Sequence, residues 1–64
     1  MLYYRNYQAG YGYDVDANIF HGEVIDTRDV ITFQASTVGG LQAAFEHSID
    51  DYLEFCSQEN KTPN

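Results

Sequence analysis

The residues with the clearest chemical potential are three oxygen-bearing side chains in one short segment. Asp14, Asp16 and Asn18 occupy the first, third and fifth places of an EF-hand calcium loop. The sixth place of that loop needs glycine and holds Ile19, and the twelfth needs glutamate and holds Ile25. The same spacing is typical of a hairpin turn, in which Asx side chains accept hydrogen bonds from nearby backbone amides. We therefore predict a turn here and no calcium site.

A histidine and a glutamate two positions apart form a second candidate. His21-Gly22-Glu23 matches half of the zinc-deaminase signature, whose chemistry also needs two cysteine ligands on a Pro-Cys-x-x-Cys turn. The chain holds one cysteine, Cys56, so such a zinc site would lack a ligand. On a strand, His21 and Glu23 point to the same face. We therefore favour a partly exposed cross-strand pair on a sheet.

Nucleophilic catalysis finds no support in the remaining side chains. Ser36, Ser48 and Ser57 lack the Gly-x-Ser-x-Gly context, and no spacing ties them to His47 as a base. Cys56 follows the apolar spacing of a helix, where a small buried side chain is expected. The sequence therefore predicts no enzyme, no cofactor and no metal ion.

Length and composition restrict the class of protein. Sixty-four residues suffice for one domain near the lower size limit of a self-sufficient core. Three basic and ten acidic residues give a net charge of −7, which argues against direct nucleic-acid binding and favours a basic partner. Six tyrosines and four phenylalanines distinguish the chain from disordered acidic tails. Because one cysteine allows no internal disulfide, we expect oligomerisation to stabilise so small a core.

The sequence also bears on the cellular compartment. Its apolar runs are too short to span a bilayer, and it shows no charged-then-apolar N-terminal signal. A single cysteine fits a reducing environment. We therefore expect a soluble cytoplasmic protein.

Hydrophobic periodicity predicts three strands followed by one helix. The first strand covers 2–14, where most of the tyrosines stand at odd positions and alternate with small or polar residues. Runs of β-branched and aromatic residues predict further strands over 19–25 and 30–35. From Val38 onward apolar residues recur every three or four positions, as in an amphipathic helix, with Thr37, or alternatively Ser36, as its N-cap.

These elements predict an α+β fold of two layers with the order β-β-β-α. A three-stranded antiparallel meander would pack on one long C-terminal helix, because the connections are short. The domain covers 1–59, and 60–64 form a polar tail. One helix covers a single face of such a sheet, which leaves the other face or an edge strand for a second copy or a partner.

Four segments of the chain carry a family resemblance. They are residues 1–4 with Tyr7, 19–24 (Ile-Phe-His-Gly-Glu-Val), 28–33 (Arg-Asp-Val-Ile-Thr-Phe) and 48–56 (Ser-Ile-Asp-Asp-Tyr-Leu-Glu-Phe-Cys). In this order they resemble HicB-like antitoxin domains. The resemblance covers roughly positions 1 to 59 and consists of structural segments without a catalytic signature.

The resemblance implies a partial RNase H-like β-β-β-α fold without nuclease activity. It implies the antitoxin of a HicA/HicB-type toxin–antitoxin pair, which binds a small, basic, mRNA-cleaving HicA-like ribonuclease and covers its catalytic histidine. A net charge of −7 suits that role, since an acidic surface competes with RNA for a basic one. The toxin-contact charges that we predict are Asp14, Asp16, Glu23, Asp26 and Asp29.

Three features depart from the family pattern. Many members continue into a C-terminal DNA-binding module that the 64 residues do not hold, so we expect no direct nucleic-acid binding by this chain. Gly39 and Gly40 stand where relatives usually carry acidic helix formers, which weakens the first helical turn. The segment 28–33 is similar to orphan members that lack an adjacent toxin. An alternative function is therefore an orphan oligomeric scaffold or regulatory protein, as a dimer or a tetramer.

A nuclease of the RNase H type is the remaining hypothesis. It would need several carboxylates converging on Mg²⁺ and would cleave an RNA–DNA hybrid. We expect no such cleavage.

Overall fold

The chain folds into one antiparallel sheet and one helix. A computed structural model describes residues 1–60 and 62. In chain order the elements are β1 (Leu2–Tyr4), β2 (Tyr7–Asp14), β3 (Ile19–Ile25), β4 (Thr32–Ala35) and α1 (Val38–Gln58). The strands pair in the order β1-β2-β3-β4, and α1 packs on one face of the sheet. The predicted α+β class with a C-terminal helix is confirmed. Apart from Asn60 and Thr62, the predicted tail over 60–64 lies outside the described residues.

The sheet has four strands, so the prediction of a three-stranded meander is wrong. The predicted first strand over 2–14 is divided by a two-residue turn, in which Arg5 and Asn6 have φ of 48° and 69°. Positive φ at both central residues is the geometry of a tight hairpin turn, and it places Tyr4 opposite Tyr7. Because of this turn, the residues that face the core have even numbers in β1 and odd numbers in β2. Neither residue is glycine, so the sequence lacks the usual signal for this turn.

The second hairpin forms where Asx residues predict a turn. One carboxylate oxygen of Asp14 accepts hydrogen bonds from the backbone amides of Asp16 at 3.0 Å and Ala17 at 3.2 Å. Asn18 follows with φ of 56°, a conformation that asparagine tolerates better than most residues. The turn aligns β2 with β3 over seven residue pairs.

The fourth strand begins later than predicted. Val30 is 82% exposed and lies outside the sheet, so the predicted start of this strand at position 30 is wrong. Ile31 is buried, and its carbonyl accepts a hydrogen bond from the Val24 amide at 3.0 Å. Regular pairing starts at Thr32, opposite Glu23.

Helix α1 begins with the predicted N-cap. The Thr37 hydroxyl accepts a hydrogen bond from the Gly40 amide at 3.0 Å, and the Thr37 carbonyl accepts one from the Leu41 amide at 2.9 Å. This cap satisfies a helical amide that has no partner within the helix. The helix ends at Gln58, and the next residue, Glu59, donates its amide to the Phe55 carbonyl.

The core lies between α1 and the inner face of the sheet. The helix contributes Leu41, Phe45 and Ile49, which are fully buried. The Phe45 ring packs on Tyr4 of β1 and Phe33 of β4, with centroid distances of 6.4 and 5.2 Å. These contacts connect α1 to both edge strands, so the helix crosses the sheet. Cys56 is 1% exposed, and the prediction that it is buried is confirmed.

Candidate functional site

The sheet face that points away from α1 is the candidate site, and we call it the outer face. Side chains alternate between the two faces of a strand, so the residues that flank the core-facing ones point outward. The outer face includes Gln8, Gly10, Gly12, His21, Glu23, Thr32 and Gln34, together with Tyr3 and Ile25, which lie on either side of Gln8. In register, Glu23 lies between Gly10 and Thr32, and His21 lies between Gly12 and Gln34.

Two glycines leave the β2 side of the outer face without side chains at positions 10 and 12. A Cβ atom at Gly10 or Gly12 would meet no other atom within 4 Å, so the backbone of β2 is open to an approaching surface. Shallow grooves of about 550 and 230 Å³ adjoin His21 and Glu23, toward β4 and toward the two glycines respectively. Because these grooves are shallow and open, they suit contact with another protein better than binding of a small molecule, which usually occupies an enclosed cleft.

His21 and Glu23 share the outer face, as predicted. Both side chains are exposed on β3. Within residues 1–60 and 62, no group of three or more His, Cys, Asp or Glu side chains is placed to hold a metal ion.

The five predicted contact residues do not form one cluster. Asp14 and Asp16 lie at the β2–β3 turn, and Asp26 and Asp29 follow the opposite end of β3. Glu23 lies between these ends on the outer face. A seven-residue strand is about 20 Å long, so the acidic groups are spread along the axis of β3.

Two of these acidic residues also have structural contacts. Asp29 is half-buried, and its carboxylate accepts a hydrogen bond from the Tyr52 hydroxyl at 2.9 Å, which joins the β3–β4 loop to α1. Asp14 closes the second hairpin, as described above. Asp16, Glu23 and Asp26 are exposed.

A charged contact between the first hairpin and α1 was not predicted from the sequence. The Tyr4 hydroxyl donates to both carboxylate oxygens of Asp50, at 3.0 and 3.1 Å, and the Arg5 Nε lies 3.3 Å from the nearer one. The hydrogen bond that Arg5 donates to the Tyr4 hydroxyl, with a further contribution from the charge of Asp50, raises the pKa of Arg5 above its ordinary value. Arg5 is therefore engaged with α1, at a distance from the outer face.

Exposed aromatic rings at one end of the sheet were also missed. Tyr11 and Tyr13 belong to the inner face of β2, and yet they remain 43% and 47% exposed because α1 does not cover them. Val15 in the adjoining turn is 78% exposed. The Tyr13 ring packs edge-on against Phe20 at 4.8 Å, and its hydroxyl donates to Asn18. Sequence periodicity placed these tyrosines on one face of a strand but could not show which part of that face the helix covers.

No protein-family model matches the chain, and neither the curated proteins nor the solved structures provide a match. In the part of the chain that the structure describes, no helix is both long enough and apolar enough to cross a membrane. The fold and the outer face thus define a small acidic α+β domain with one side of its sheet uncovered.

Proposed function

We propose that the chain is a HicB-like antitoxin domain that binds and occludes a small, basic, mRNA-cleaving HicA-like ribonuclease. The observation that carries the proposal is the uncovered outer face, with Glu23 near its centre and acidic segments at both ends of β3. A basic surface laid along β3 would meet negative charge at three successive points.

Charge supports this docking mode. The chain has a net charge of −7, and Arg5 is held by Tyr4 and Asp50. An acidic face attracts a basic partner at long range and accelerates the encounter. Because the same basic surface of the toxin would bind RNA phosphates, the antitoxin competes with RNA for it. Occlusion of this kind requires no catalytic step.

The fold supports the same proposal. Under this proposal, β2, β3, β4 and α1 would be the three strands and the helix of a partial RNase H-like domain, and β1 would be an additional short edge strand. Two-metal nucleases hold their ions about 4 Å apart within a tight set of carboxylates. The acidic groups along β3 are distributed over a much longer distance, which favours a binding role without nuclease activity.

Within the proposed interface the acidic residues divide into two groups. Asp16, Glu23 and Asp26 are exposed and would contact the toxin directly. Asp14 and Asp29 would maintain the turn and the loop that present these contacts, through the hydrogen bonds that they accept.

An orphan oligomeric scaffold or regulatory protein without a toxin is the second candidate. The exposed rings of Tyr11 and Tyr13 favour it, because exposed aromatic patches commonly mark association surfaces. The two candidates differ in whether a basic ribonuclease binds the outer face.

The deciding experiment is a pull-down of the tagged chain from its host lysate, followed by calorimetry with any small basic ribonuclease that is recovered. We expect the complex to weaken as salt screens the charges. The double variant Glu23→Lys with Asp26→Lys should bind about tenfold or more weakly. Its matched control, Asp51→Lys with Glu54→Lys on the exposed side of α1, has the same net charge and should bind within about threefold of the parent.

Two results would overturn the antitoxin proposal. One is recovery of the chain alone, at a multiple of 7.3 kDa, which supports the scaffold. The other is equal weakening by the two double variants, which would show that net charge acts without the outer face.

A further inference from the structure

The edge of β2 is open over five of its eight residues. β1 pairs with β2 through Tyr7, Gln8 and Ala9 only. In residues 1–60 and 62, no strand lies beside 10–14 on that side, although β3 pairs with the same residues on the other side. Unpaired strand edges attract further strands.

The backbone groups at this open edge belong to two tyrosines. The Val24 amide donates a hydrogen bond to the Ile31 carbonyl, on the side of β3 that faces β4. Successive residues of an antiparallel strand direct their backbone amides and carbonyls to alternate sides, so the odd-numbered residues of β3 direct theirs toward β2. Their partners in β2 are the even-numbered residues. The amides and carbonyls of Tyr11 and Tyr13 therefore point away from β3, to the open edge.

This edge lacks the features that usually prevent association. The stretch 10–13 contains no charged residue and no proline, which are the common protections of an edge strand. The edge at β1 differs, because the Gln42 side-chain amide lies 3.5 Å from the Tyr3 carbonyl. The edge at β4 has only four residues and packs closely against α1.

We propose that two copies of the chain pair antiparallel through this edge of β2, with the two-fold axis at Gly12. In this register Tyr11 of each copy lies opposite Tyr13 of the other, and their backbone groups form four hydrogen bonds. Gly12 meets Gly12 of the second copy as a non-hydrogen-bonded pair, in which the Cα atoms approach to about 4.5 Å. The two sheets become one sheet of eight strands.

The geometry of the segment favours a second copy as the occupant. With the axis at Gly12, residues 10–14 pair with residues 14–10, which uses the whole open stretch between β1 and the turn. A longer overlap would bring the turn of one copy against β1 of the other. Asp14 lies opposite Gly10, which has no side chain, and the two Asp14 residues are about 14 Å apart.

The charge distribution permits this pairing. Two molecules with a net charge of −7 repel each other, and 10–13 offer an uncharged stretch where they can approach. The pairing also reduces the exposure of Tyr11 and Tyr13. It leaves the outer face of both copies free, so it specifies the self-association named above and does not depend on toxin binding.

Cysteine cross-linking tests the register. In a Cys56→Ala background, Gly12→Cys places the two thiols at the axis and is expected to form a disulfide-linked dimer under mild oxidation. Gly10→Cys is the matched control, because it lies on the same face with equally open space. Its two copies are about 14 Å apart across the axis, which exceeds the reach of a disulfide of about 7 Å.

Sedimentation measures the association without any new cysteine. The parent chain should have twice the mass of 7.3 kDa, and Tyr11→Glu should weaken the dimer about tenfold or more by placing a charge at the pairing edge. Tyr3→Glu on exposed β1 should leave it unchanged. A monomeric parent at about 1 mM, a cross-link at position 10 equal to that at position 12, or a dimer indifferent to Tyr11→Glu would each overturn the proposal. None of these results would bear on the toxin-binding proposal, which is tested by measuring binding to the basic partner.

Discussion

The aromatic ring of Phe33 lies directly over Gly22, its neighbour across the β3–β4 pairing. The ring occupies the volume that a side chain at position 22 would need, and from there it reaches Phe45 at 5.2 Å. Gly22 is therefore part of the core, because its missing side chain allows a strand residue to contact the helix.

Replacement of this glycine tests the relationship. Gly22→Ala forces the Phe33 ring away from Phe45, and we expect the free energy of unfolding to fall by about 1–3 kcal/mol. Chemical denaturation measures this loss. Gly10→Ala is the control, since its added methyl group meets no atom within 4 Å. Equal effects of the two substitutions would contradict the packing role of Gly22.

The two glycines in the first turn of α1 should respond differently to alanine. Gly39→Ala meets open space and should stabilise the protein by about 0.5–1 kcal/mol through the higher helix propensity of alanine. Gly40→Ala would bring its methyl group within 3.0 Å of the Thr37 hydroxyl oxygen, which disturbs the N-cap and cancels the gain. Thermal unfolding of both variants checks the difference, and a larger gain from Gly40→Ala would contradict it.

Tyr7 should make the fold sensitive to alkali. Burial, with a smaller contribution from Cys56, raises the pKa of Tyr7 above its ordinary 10.0. At a pH between 10.0 and the raised pKa of the folded state, the folded protein therefore keeps a phenolic proton that the unfolded chain releases. The contribution to stability is fully present below pH 10 and is lost as the pH rises through the pKa of the folded state.

The variant Tyr7→Phe isolates this contribution. It retains the ring that packs edge-on against Tyr52 at 6.3 Å and removes the ionisable group. Denaturant titrations between pH 8 and pH 11 should show a shallower alkaline loss of stability in the variant than in the parent. Identical slopes would show that Tyr7 does not cause the effect.

The hydrogen bond from Tyr52 to Asp29 should stabilise the β3–β4 loop. Tyr52→Phe removes the donor, and we expect the free energy of unfolding to fall by about 1 kcal/mol. Tyr3→Phe changes an exposed hydroxyl on β1 and serves as the matched control. Amide hydrogen exchange should increase around Asp29 in the first variant and not in the second. An unchanged exchange rate would mean that the loop is held by other contacts.

Local patterns in the sequence are sufficient for several elements. The Asx residues predict the second hairpin because Asp14 bonds to amides two and three positions away. Thr37 marks the start of α1 because an N-cap acts on the first helical turn. The stripe through Leu41, Phe45 and Ile49 identifies the buried side of the helix.

The first hairpin, between β1 and β2, could not be predicted from such local patterns. Arg5 and Asn6 form a turn without glycine, and the tyrosines on either side suit one long strand equally well. Contact of Tyr4 with Asp50, 46 positions away, supports the separate strand and its turn. Periodicity within a short window contains no information about that partner.

For the candidate site as well, some features follow from the sequence and others only from the tertiary structure. Composition determined the acidity of the protein and its single cysteine, and the order of apolar residues along the chain indicated the α+β class. The tertiary structure decided that the predicted acidic residues are spread along β3, that Asp29 is bonded to Tyr52, and that the β2 edge is open over five of its eight residues. These three features depend on which segments, distant in sequence, come into contact when the core forms. The spacing of residues within a short segment does not specify those contacts.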